Sequence, residues 1–572
     1  MGRYFNPGNN GFAEILRSDY VDKTGLIGLI NRTVGTKMKL TCISRPRRFG
    51  KSFAAQMLCA YYDRSCDSHE LFDRYNIARN ATYTEHLNKY HVINIDVTGF
   101  ISEIKLESSN ALSGDCFGEK HTDENLRNSL HSFEDQKKEK ELLCNLPSII
   151  KQAILSDIQE VYPEFKDILV LNDCLFELVK KTKTKIVFII DEWDSVIREA
   201  QNDPDTQKAY LNLLRGWFKN NNFTPEVVAA AYMTGILPIK KDGSQSAISD
   251  FCEYSMLDPL EFAEYVGFTE EEVQELCRRT GRSFESMKRW FDGYTVGDCR
   301  SIYNPYSVMQ AITSGKYKSY WKKTSAAETL MTYIDMDIDG LQNDIARLIA
   351  GEEIVVDTGS FQNDVESFTC KNDVLTLLIH LGYLTYEEVS DSYDDEDESL
   401  TGLAKIPNEE VRTEFDSLLH KAKHKELVKL VNESDRLLAD TIAGRSDEVA
   451  KAVQAVHESN YAPTYYNNEQ SLRYVIKMAY ISCVDQYDKV EELPSGKGVA
   501  DVVFIPKRRS PLPAMIIELK WNKTSKGAIA QIKEKGYKNI LKNYGGDVIL
   551  AGINYDLKKK EHTCVIEVDK IC

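Results

Sequence analysis

Strand-like apolar runs alternate with helical patterns between about Thr41 and Ile239. The runs are KLTCIS, HVINIDV, KIVFIIDE and EVVAAAYMTG, and each is apolar on both faces of the extended chain. Strands that are apolar on both faces are typical of a parallel sheet buried between two layers of helices. The pattern therefore predicts an α/β fold with a parallel sheet in the N-terminal part of the chain.

From about Asp258 the pattern becomes helical. The segment PLEFAEYV predicts one helix, a glycine interrupts it, and Thr269 with Glu272 forms a capping box that predicts the start of a second helix. The acidic run DSYDDEDES near Ser390 predicts an exposed loop without chemistry. Charges of one sign at that density repel each other and bury nothing.

The last hundred residues return to alternating strands and helices. DVVFIP, AMIIELK and DVILAGINY are the predicted strands, with a long helix before the last of them. A chain of 572 residues is too long for one hydrophobic core. We therefore expect an α/β domain over residues 1–255, a helical middle region with the acidic loop over 256–454, and a second α/β domain over 455–572.

We expect neither a membrane protein nor a secreted one. No apolar run approaches the roughly 18 residues of a membrane-spanning helix, so we expect no membrane partner. The first residues, MGRYFNPGNNGF, lack the basic segment and apolar stretch of a secretory signal, and we expect a cytoplasmic protein. The thirteen cysteines are scattered without paired CxxC clusters. We interpret them as reduced structural thiols.

The distribution of charge is more informative than its total. A net charge of −17 argues against a surface that binds nucleic acid everywhere, although an acidic body can carry a local basic patch. Between Lys507 and Lys560 there are thirteen Lys and Arg against four Asp and Glu. This surplus suits a phosphate-rich partner. A solvated, Lys-rich helix face explains the charge equally well.

The first candidate site follows the strand KLTCIS. It runs into RPRRFGKSFAAQML, where Gly50, Lys51 and Ser52 form the end of a Walker A loop at the start of a helix. Backbone N–H groups at a helix N-terminus hold phosphate oxygens, the lysine reaches the terminal phosphates of ATP, and the serine hydroxyl ligates Mg²⁺. The sequence therefore predicts an ATP site, although GKS alone is a weak signal.

The loop before Gly50 departs from the usual Walker A pattern. Arg45 stands where the pattern has its first glycine, and Arg47 and Arg48 follow it closely. These arginines either add positive charge around a triphosphate or are solvated.

A second motif supports the nucleotide site. The apolar strand KIVFIID ends in Asp191 and Glu192, a Walker B pattern that places Asp191 beside Mg²⁺ and Glu192 where it can polarise an attacking water. A pair of carboxylates that caps the next helix is the alternative. The strand EVVAAAYMTG ends at Thr234, which is suited to sense the γ-phosphate, although a threonine before a glycine is also an ordinary strand end.

The last domain carries a different constellation. Glu518 and Lys520 lie two residues apart in AMIIELK and project from the same face of a strand, and Asp501 begins the neighbouring strand of the hairpin. Two carboxylates from adjacent strands can hold Mg²⁺ for attack on a phosphodiester, with Lys520 orienting the water. An ion pair between Glu518 and Lys520 is the structural alternative.

Ordered motifs add a resemblance that covers nearly the whole chain. They are YVDKT, RPRRFGKS, IDEWD, TGILPI, WFDGY, YNPYS, LGYLT and IPNEEV. The chain resembles bacterial AAA-ATPase-like proteins with a C-terminal PD-(D/E)XK nuclease domain. The resemblance implies an N-terminal P-loop NTPase sheet, a helical middle region, a C-terminal restriction-endonuclease-like domain, and ATP and Mg²⁺ as cofactors. In that family arginines precede GKS, and the motif as a unit adds Arg45, Arg48 and Phe49 to the nucleotide site.

The resemblance also implies further residues in the nuclease domain. It adds Glu469 as a metal ligand on the preceding helix, and Gln531 and Tyr537 on the segment AIAQIKEKGY. A helical glutamate is most often solvated, which is the alternative for Glu469. Val499 occupies a place where related sequences often have another residue, so the approach to Asp501 is not diagnostic.

Three functions are compatible with these sites. The first is an ATP-controlled, Mg²⁺-dependent nuclease acting on nucleic acid, with DNA favoured over RNA, in bacterial defence or mobile-element biology. The second is a nucleotide-dependent switch or scaffold whose nuclease fold is an inactive binding module. The third is a ligand-sensing ATPase without a nucleic-acid partner, which predicts no basic surface near Lys520. A homo-oligomer is compatible with all three.

Overall fold

The computed structural model describes most of the chain. The described residues are 2–110, 140, 142–200, 203–239, 248–321, 340–359, 361, 368, 370–388, 401–419, 425–460, 469–481, 487–495, 498–507, 512–535, 541 and 547–570. None of the helices within these ranges is both long and apolar enough to cross a membrane. The chain divides into two compact units, formed by residues 1–318 with 356–402 and by residues 319–355 with 403–572.

The first unit contains a parallel sheet of five strands. They are β1 (Leu40–Ser44), β2 (His91–Asp96), β3 (Ile186–Asp191), β4 (Val228–Gly235) and β5 (Cys252–Tyr254), in the spatial order β2-β3-β4-β1-β5. All neighbouring strands run parallel. The α/β sheet predicted from the four apolar runs is confirmed. β5 was missed because its three residues are only half-buried and form no apolar run.

Helix layers bury this sheet. Every residue of β1, β3 and β4 is buried, so both faces of the central strands are covered. The helices Leu146–Val161 and Leu171–Thr182 share one hydrophobic core with the sheet, and the helix Lys51–Tyr62 packs against β3 and β4. Full burial of one Leu or Ile side chain contributes about 1.5–3 kcal/mol, so this core fixes the strand ends that carry the candidate site.

The first unit contains further helices. The α-helices are Asn10–Ile15, Gly25–Asn31, His69–Phe72, Tyr83–His86, Val97–Asn110, Ser195–Glu199, Pro204–Phe218, Thr224–Val227, Glu270–Thr280, Phe284–Phe291, Pro305–Ser314 and Lys371–Leu381. The 3-10 helices are Asn76–Arg79, Pro163–Phe165 and Leu260–Tyr265.

The region after β5 is mainly helical, as predicted. Thr269 and Glu272 form the expected capping box at the start of the helix Glu270–Thr280. The helix predicted over PLEFAEYV is only a short 3-10 helix, Leu260–Tyr265. Five small strands were also missed: β6 (Tyr294–Val296), β7 (Cys299–Ile302), β8 (Ile354–Asp357), β9 (Thr385–Glu388) and β10 (Thr401–Lys405). The acidic run DSYDDEDES lies outside the described residues.

The second unit ends in a mixed sheet of five strands. They are β11 (Tyr487–Ser495), β12 (Gly498–Pro506), β13 (Ala514–Trp521), β14 (Asp547–Asp556) and β15 (Glu561–Lys570), in that spatial order. β13 and β14 run parallel, and the other neighbours run antiparallel. A parallel pair needs a crossover connection. The helix Ser525–Lys535 lies in this connection and packs on β13 and β14.

The other helices of the second unit precede this sheet. They are Leu341–Ile349, Glu409–Leu419, Lys425–Ile442, Ser446–Asn460 and Glu469–Ala479. The helix Ser446–Asn460 packs against β15 and runs across the boundary expected at Ala455. The backbone N–H of Ile566 donates to Ser446 Oγ at 3.0 Å. The three expected domain ranges stay predictions, and a fragment cut at Ala455 would divide this helix.

Candidate nucleotide and nuclease sites

The Walker A segment forms a loop between β1 and the helix Lys51–Tyr62. Gly50 is the N-cap of this helix with φ +94°, a left-handed conformation that favours glycine. A Cβ atom on Gly50 would meet no atom within 4 Å, so the space above the loop is open. No side chain in the described ranges caps the helix N-terminus. First-turn N–H groups without a side-chain cap are available to phosphate oxygens.

The Lys51 side chain contacts the loop that precedes it. Its Nζ donates to the carbonyl oxygens of Arg45 and Pro46, each at 3.0 Å, and lies 3.6 Å from Glu192 Oε1. The side chain is 3% exposed, whereas Ser52 beside it is exposed. The predicted phosphate lysine and magnesium serine therefore lie together at the open start of the helix.

Arg45 does not face the nucleotide site, contrary to the prediction. Its side chain is fully buried, and Nη1 donates to the carbonyl oxygens of Ser44, Tyr254 and Ser255. Nε and Nη2 have no hydrogen-bond partner among the residues that the structure describes. Burial lowers the pKa of Arg45 to about 10, so the side chain stays cationic at neutral pH. Arg45 joins the loop to the end of β5.

The two residues before Gly50 anchor the loop to the segment that carries WFDGY and YNPYS. The Arg48 guanidinium lies over the Tyr306 ring, 4.4 Å from its centroid, and the backbone of Arg48 has φ +72°. Phe49 is 1% exposed and packs edge-on against Tyr294, with ring centroids 5.2 Å apart. The Phe49 side chain is therefore part of the core, whereas Arg48 is only half-buried.

The Walker B residues meet Thr234 at the carboxyl ends of β3 and β4. The Thr234 hydroxyl donates to Asp191 Oδ1 and accepts the backbone N–H of Glu192 at 3.3 Å. Asp191 is 8% exposed. Because β4 lies between β1 and β3, Thr234 stands between the Walker A and Walker B strands. Three residues predicted from two separate motifs are thus brought together.

Glu192 lies between two cations. Its backbone has φ +56°, an uncommon conformation for a residue with a side chain. Oε2 accepts from Arg198 Nη2 at 2.6 Å, and Oε1 faces Lys51 Nζ. Arg198 was missed by the sequence analysis. Its only signal is its position in the short helix four residues after Asp194, since residues at that spacing share one helix face.

Asp194 joins the segment IDEWD to the segment TGILPI. The buried carboxylate accepts from Arg198 Nε at 3.0 Å and from the backbone N–H groups of Ile236 at 3.1 Å and Leu237 at 2.9 Å, all on Oδ2. It therefore fixes the segment after β4 to the segment after β3. This bracing holds both Glu192 and its arginine partner at the site.

The second site lies on β12 and β13, where Asp501, Glu518 and Lys520 converge as predicted. The backbone N–H of Leu519 donates to Asp501 Oδ2 at 2.8 Å, and Lys520 Nζ lies 3.0 Å from Glu518 Oε1. Gln531 of the helix Ser525–Lys535 also donates to Glu518 Oε1. The alternative ion pair is thus present within the cluster itself.

The side chains of this cluster are buried and do not face solvent. Asp501 is 8% exposed, Glu518 1% and Lys520 7%, because the crossover helix packs over β13. Burial and then the neighbouring Asp501 carboxylate raise the pKa of Glu518 to about 7. Oε2 of Glu518 has no partner within the described part of the chain. A buried acceptor without a donor beside a second carboxylate suits a divalent cation.

Arg473 is a second residue that the sequence analysis missed. It lies in the helix Glu469–Ala479, and its Nη2 donates to Asp501 Oδ1 at 3.0 Å. The helix begins at Glu469, but the Glu469 side chain and all of Tyr537 lie outside the described residues. Within the described ranges, no group of three or more His, Cys, Asp and Glu side chains could hold a metal ion. Asp501, Glu518 and Glu469 all stay predicted metal ligands.

Two family models match parts of the chain. Residues 8–244 match the family model described as a predicted AAA-ATPase, and residues 467–564 match the PD-(D/E)XK nuclease superfamily. No curated protein matched the chain. The chain therefore carries a AAA-ATPase-like domain over residues 8–244 and a PD-(D/E)XK nuclease superfamily domain over residues 467–564.

Proposed function

We propose that this protein binds and hydrolyses ATP and couples that activity to Mg²⁺-dependent cleavage of nucleic acid. DNA is the first substrate to test, and defence or mobile-element biology is the setting that we propose. The buried cluster of Asp501, Glu518 and Lys520 carries the proposal. Glu518 Oε2 is a buried acceptor without a donor among the described residues, and the Asp501 carboxylate lies in the same cluster, so the pair suits a divalent cation.

The nuclease residues divide the chemistry among them. Asp501 and Glu518 would hold Mg²⁺, which acidifies a water and neutralises charge on the phosphodiester. Gln531 donates to Glu518 Oε1, and Oε2, which has no donor among the described residues, would be available to the metal ion. Lys520 Nζ already donates to Glu518 Oε1 and to the Leu519 carbonyl. With substrate present, its third proton is available to the attacking water or to a phosphate oxygen.

The ATPase residues have separate roles. The helix N-terminus and Lys51 bind the phosphates, and Ser52 with Asp191 provides the oxygen ligands for Mg²⁺. Glu192 orients or deprotonates the attacking water. When Lys51 moves to the phosphates it leaves Glu192 Oε1, so nucleotide binding itself frees one carboxylate oxygen for the water. Thr234 is bonded to both Walker B residues and is placed to register the γ-phosphate.

One observation favours the nucleotide-dependent switch or scaffold. Arg473 donates to Asp501 Oδ1 and so neutralises a carboxylate that a metal would otherwise neutralise. In that alternative, an internal cation has replaced the metal and the domain only binds a partner. The two functions differ in a single property, which is turnover of nucleic acid.

The test is a panel of single-stranded and double-stranded DNA and RNA incubated with Mg²⁺, with and without ATP. The proposal expects cleavage by the wild type and none by Asp501→Asn or Glu518→Gln. Glu567→Gln is the matched control, because Glu567 is a half-exposed glutamate of β15 that pairs with Lys533. A wild type that cuts no member of the panel supports the switch or scaffold instead.

A further inference from the structure

The turn between β14 and β15 carries three consecutive lysines, Lys558–Lys560. Asp556 braces this turn, because its Oδ1 accepts the backbone N–H groups of Lys558 at 2.9 Å and Lys559 at 3.1 Å. The N–H of Lys560 donates to the Asp556 carbonyl at 2.7 Å. The ladder between β14 and β15 continues up to the pair Asp556 and Glu561. The three lysines are therefore held on a defined turn.

The turn is joined to the end of β13. Asn522 Oδ1 accepts the N–H of Leu557 at 2.8 Å, and the N–H of Asn522 donates to the Tyr555 carbonyl at 2.8 Å. In the parallel register Lys520 lies opposite Asn554. At about 3.3 Å per residue, the turn begins within roughly 15 Å of Lys520. It therefore lies at the same sheet edge as the candidate nuclease residues.

Two more lysines lie at this edge. Lys523 and Lys526 follow β13 and are exposed, as are Lys558–Lys560. We call these five residues the lysine edge. In the part of the chain that the structure describes, none of the five has a carboxylate oxygen within 4 Å. Two other lysines of the same unit are paired: Lys451 is bound to Glu448 at 3.0 Å, and Lys533 is bound to Glu567.

A helix N-terminus adds to this charge. The helix Ser525–Lys535 begins between Lys523 and Lys526 and carries no acidic residue in its first turn. The positive end of its dipole thus reinforces the lysines. Five exposed cations without a carboxylate partner among the described residues repel each other, and a polyanion relieves that repulsion. A nucleic-acid duplex presents about one charge per 1.7 Å of axis, so an edge of this size faces several phosphates.

We propose that the lysine edge binds the phosphate backbone of the nucleic acid beside the scissile bond. The inference rests on the proposed nuclease function, which it deepens by naming where the substrate lies. Lysines contact phosphates as point charges and read no base, so the contribution is independent of sequence. Substrate then crosses the sheet edge where β13 and β14 end.

The experiment compares two double variants of the full chain, Lys558→Ala with Lys559→Ala, and Lys451→Ala with Lys533→Ala. Binding of a labelled DNA duplex is followed by fluorescence anisotropy at several salt concentrations, without divalent ions so that no cleavage occurs. Losing two phosphate contacts reduces the slope of log Kd against log salt by about 1.8. We expect that shift in the first variant and a wild-type slope in the second.

The outcomes distinguish a failure of the lysine-edge inference from a failure of the proposed function. All four lysines are at least partly exposed, so both variants should melt within about 2 °C of the wild type, which excludes misfolding as the cause. If the wild type binds and cuts DNA but the two variants share its slope, the lysine edge is only a solvated surface and the proposed function stands. If the wild type binds no nucleic acid, the inference and the proposed function both fail.

Discussion

Replacing Glu518 by glutamine should make the C-terminal domain more stable at pH 8, although it removes a proposed catalytic ligand. Burial and the Asp501 carboxylate raise the pKa of Glu518 from 4.5 to about 7. A difference of about 2.5 pH units corresponds to roughly 3 kcal/mol at 1.36 kcal/mol per unit. The folded protein therefore holds Glu518 in its neutral form more tightly than the unfolded chain does.

The sign of the effect follows from this preference. The stabilising contribution is fully present below pH 4.5 and is lost as the pH rises through 7, because ionised Glu518 is unfavourable in the folded site. Glutamine cannot ionise and does not have this loss. Relative to the wild type, Glu518→Gln should gain about 2–3 kcal/mol between pH 5 and pH 8. Mg²⁺ should stabilise the wild type at pH 8 and leave Glu518→Gln almost unchanged.

The assay is urea unfolding at pH 5 and pH 8 in EDTA, followed by tryptophan fluorescence. Trp521 is the last residue of β13 and reports on the strand that carries Glu518. Glu567→Gln is the control, since Glu567 is 43% exposed in its ion pair and should give nearly the same difference at both pH values. If Glu518→Gln gains no stability over the wild type between pH 5 and pH 8, ionised Glu518 is not unfavourable in the folded site.

The remaining predictions concern the ATP site and Lys520. Lys51→Ala should lose ATP binding in a calorimetric titration, whereas Glu192→Gln should keep it and lose about 100-fold or more in turnover; an unchanged rate would remove Glu192 from the mechanism. Arg198→Ala should lower kcat for ATP at unchanged ATP affinity, and in a Glu192→Gln background it should lower kcat no further. Additive losses would mean that Arg198 acts independently of Glu192. Lys520→Ala should stop cleavage while calorimetric Mg²⁺ affinity stays within about twofold, and cleavage that persists with a lowered melting temperature would make Lys520 only a structural partner of Glu518.

Residues at strand ends could be predicted from the sequence. Gly50, Asp191 and Thr234 each follow or end an apolar run, and parallel strands bring their carboxyl ends to one edge of a sheet. Glu518 and Lys520 could be placed on one face because the alternation of a strand has a period of two. These local rules determine where a strand ends and which side chains share a face of it. The motifs depend on both properties.

Contacts between distant segments could not be predicted. Arg198 and Arg473 reach carboxylates from helices, and an arginine on a helix is ordinarily a solvated residue with no signal of its own. Phe49 and Arg45 lie in a functional motif, yet packing against Tyr294 and against the end of β5 decides their roles. Burial of the nuclease carboxylates was missed for the same reason, since it depends on how the crossover helix packs.

In the proposed function, ATP turnover at one site controls cleavage at the other. The most direct measurement is the cleavage rate of labelled DNA by the full chain in Mg²⁺, with and without ATP, for the wild type and for Lys51→Ala. We predict that ATP changes the rate in the wild type and has no effect on Lys51→Ala, which still contains intact Asp501 and Glu518. A wild type that cuts at the same rate with and without ATP, or does not cut at all, would contradict the account.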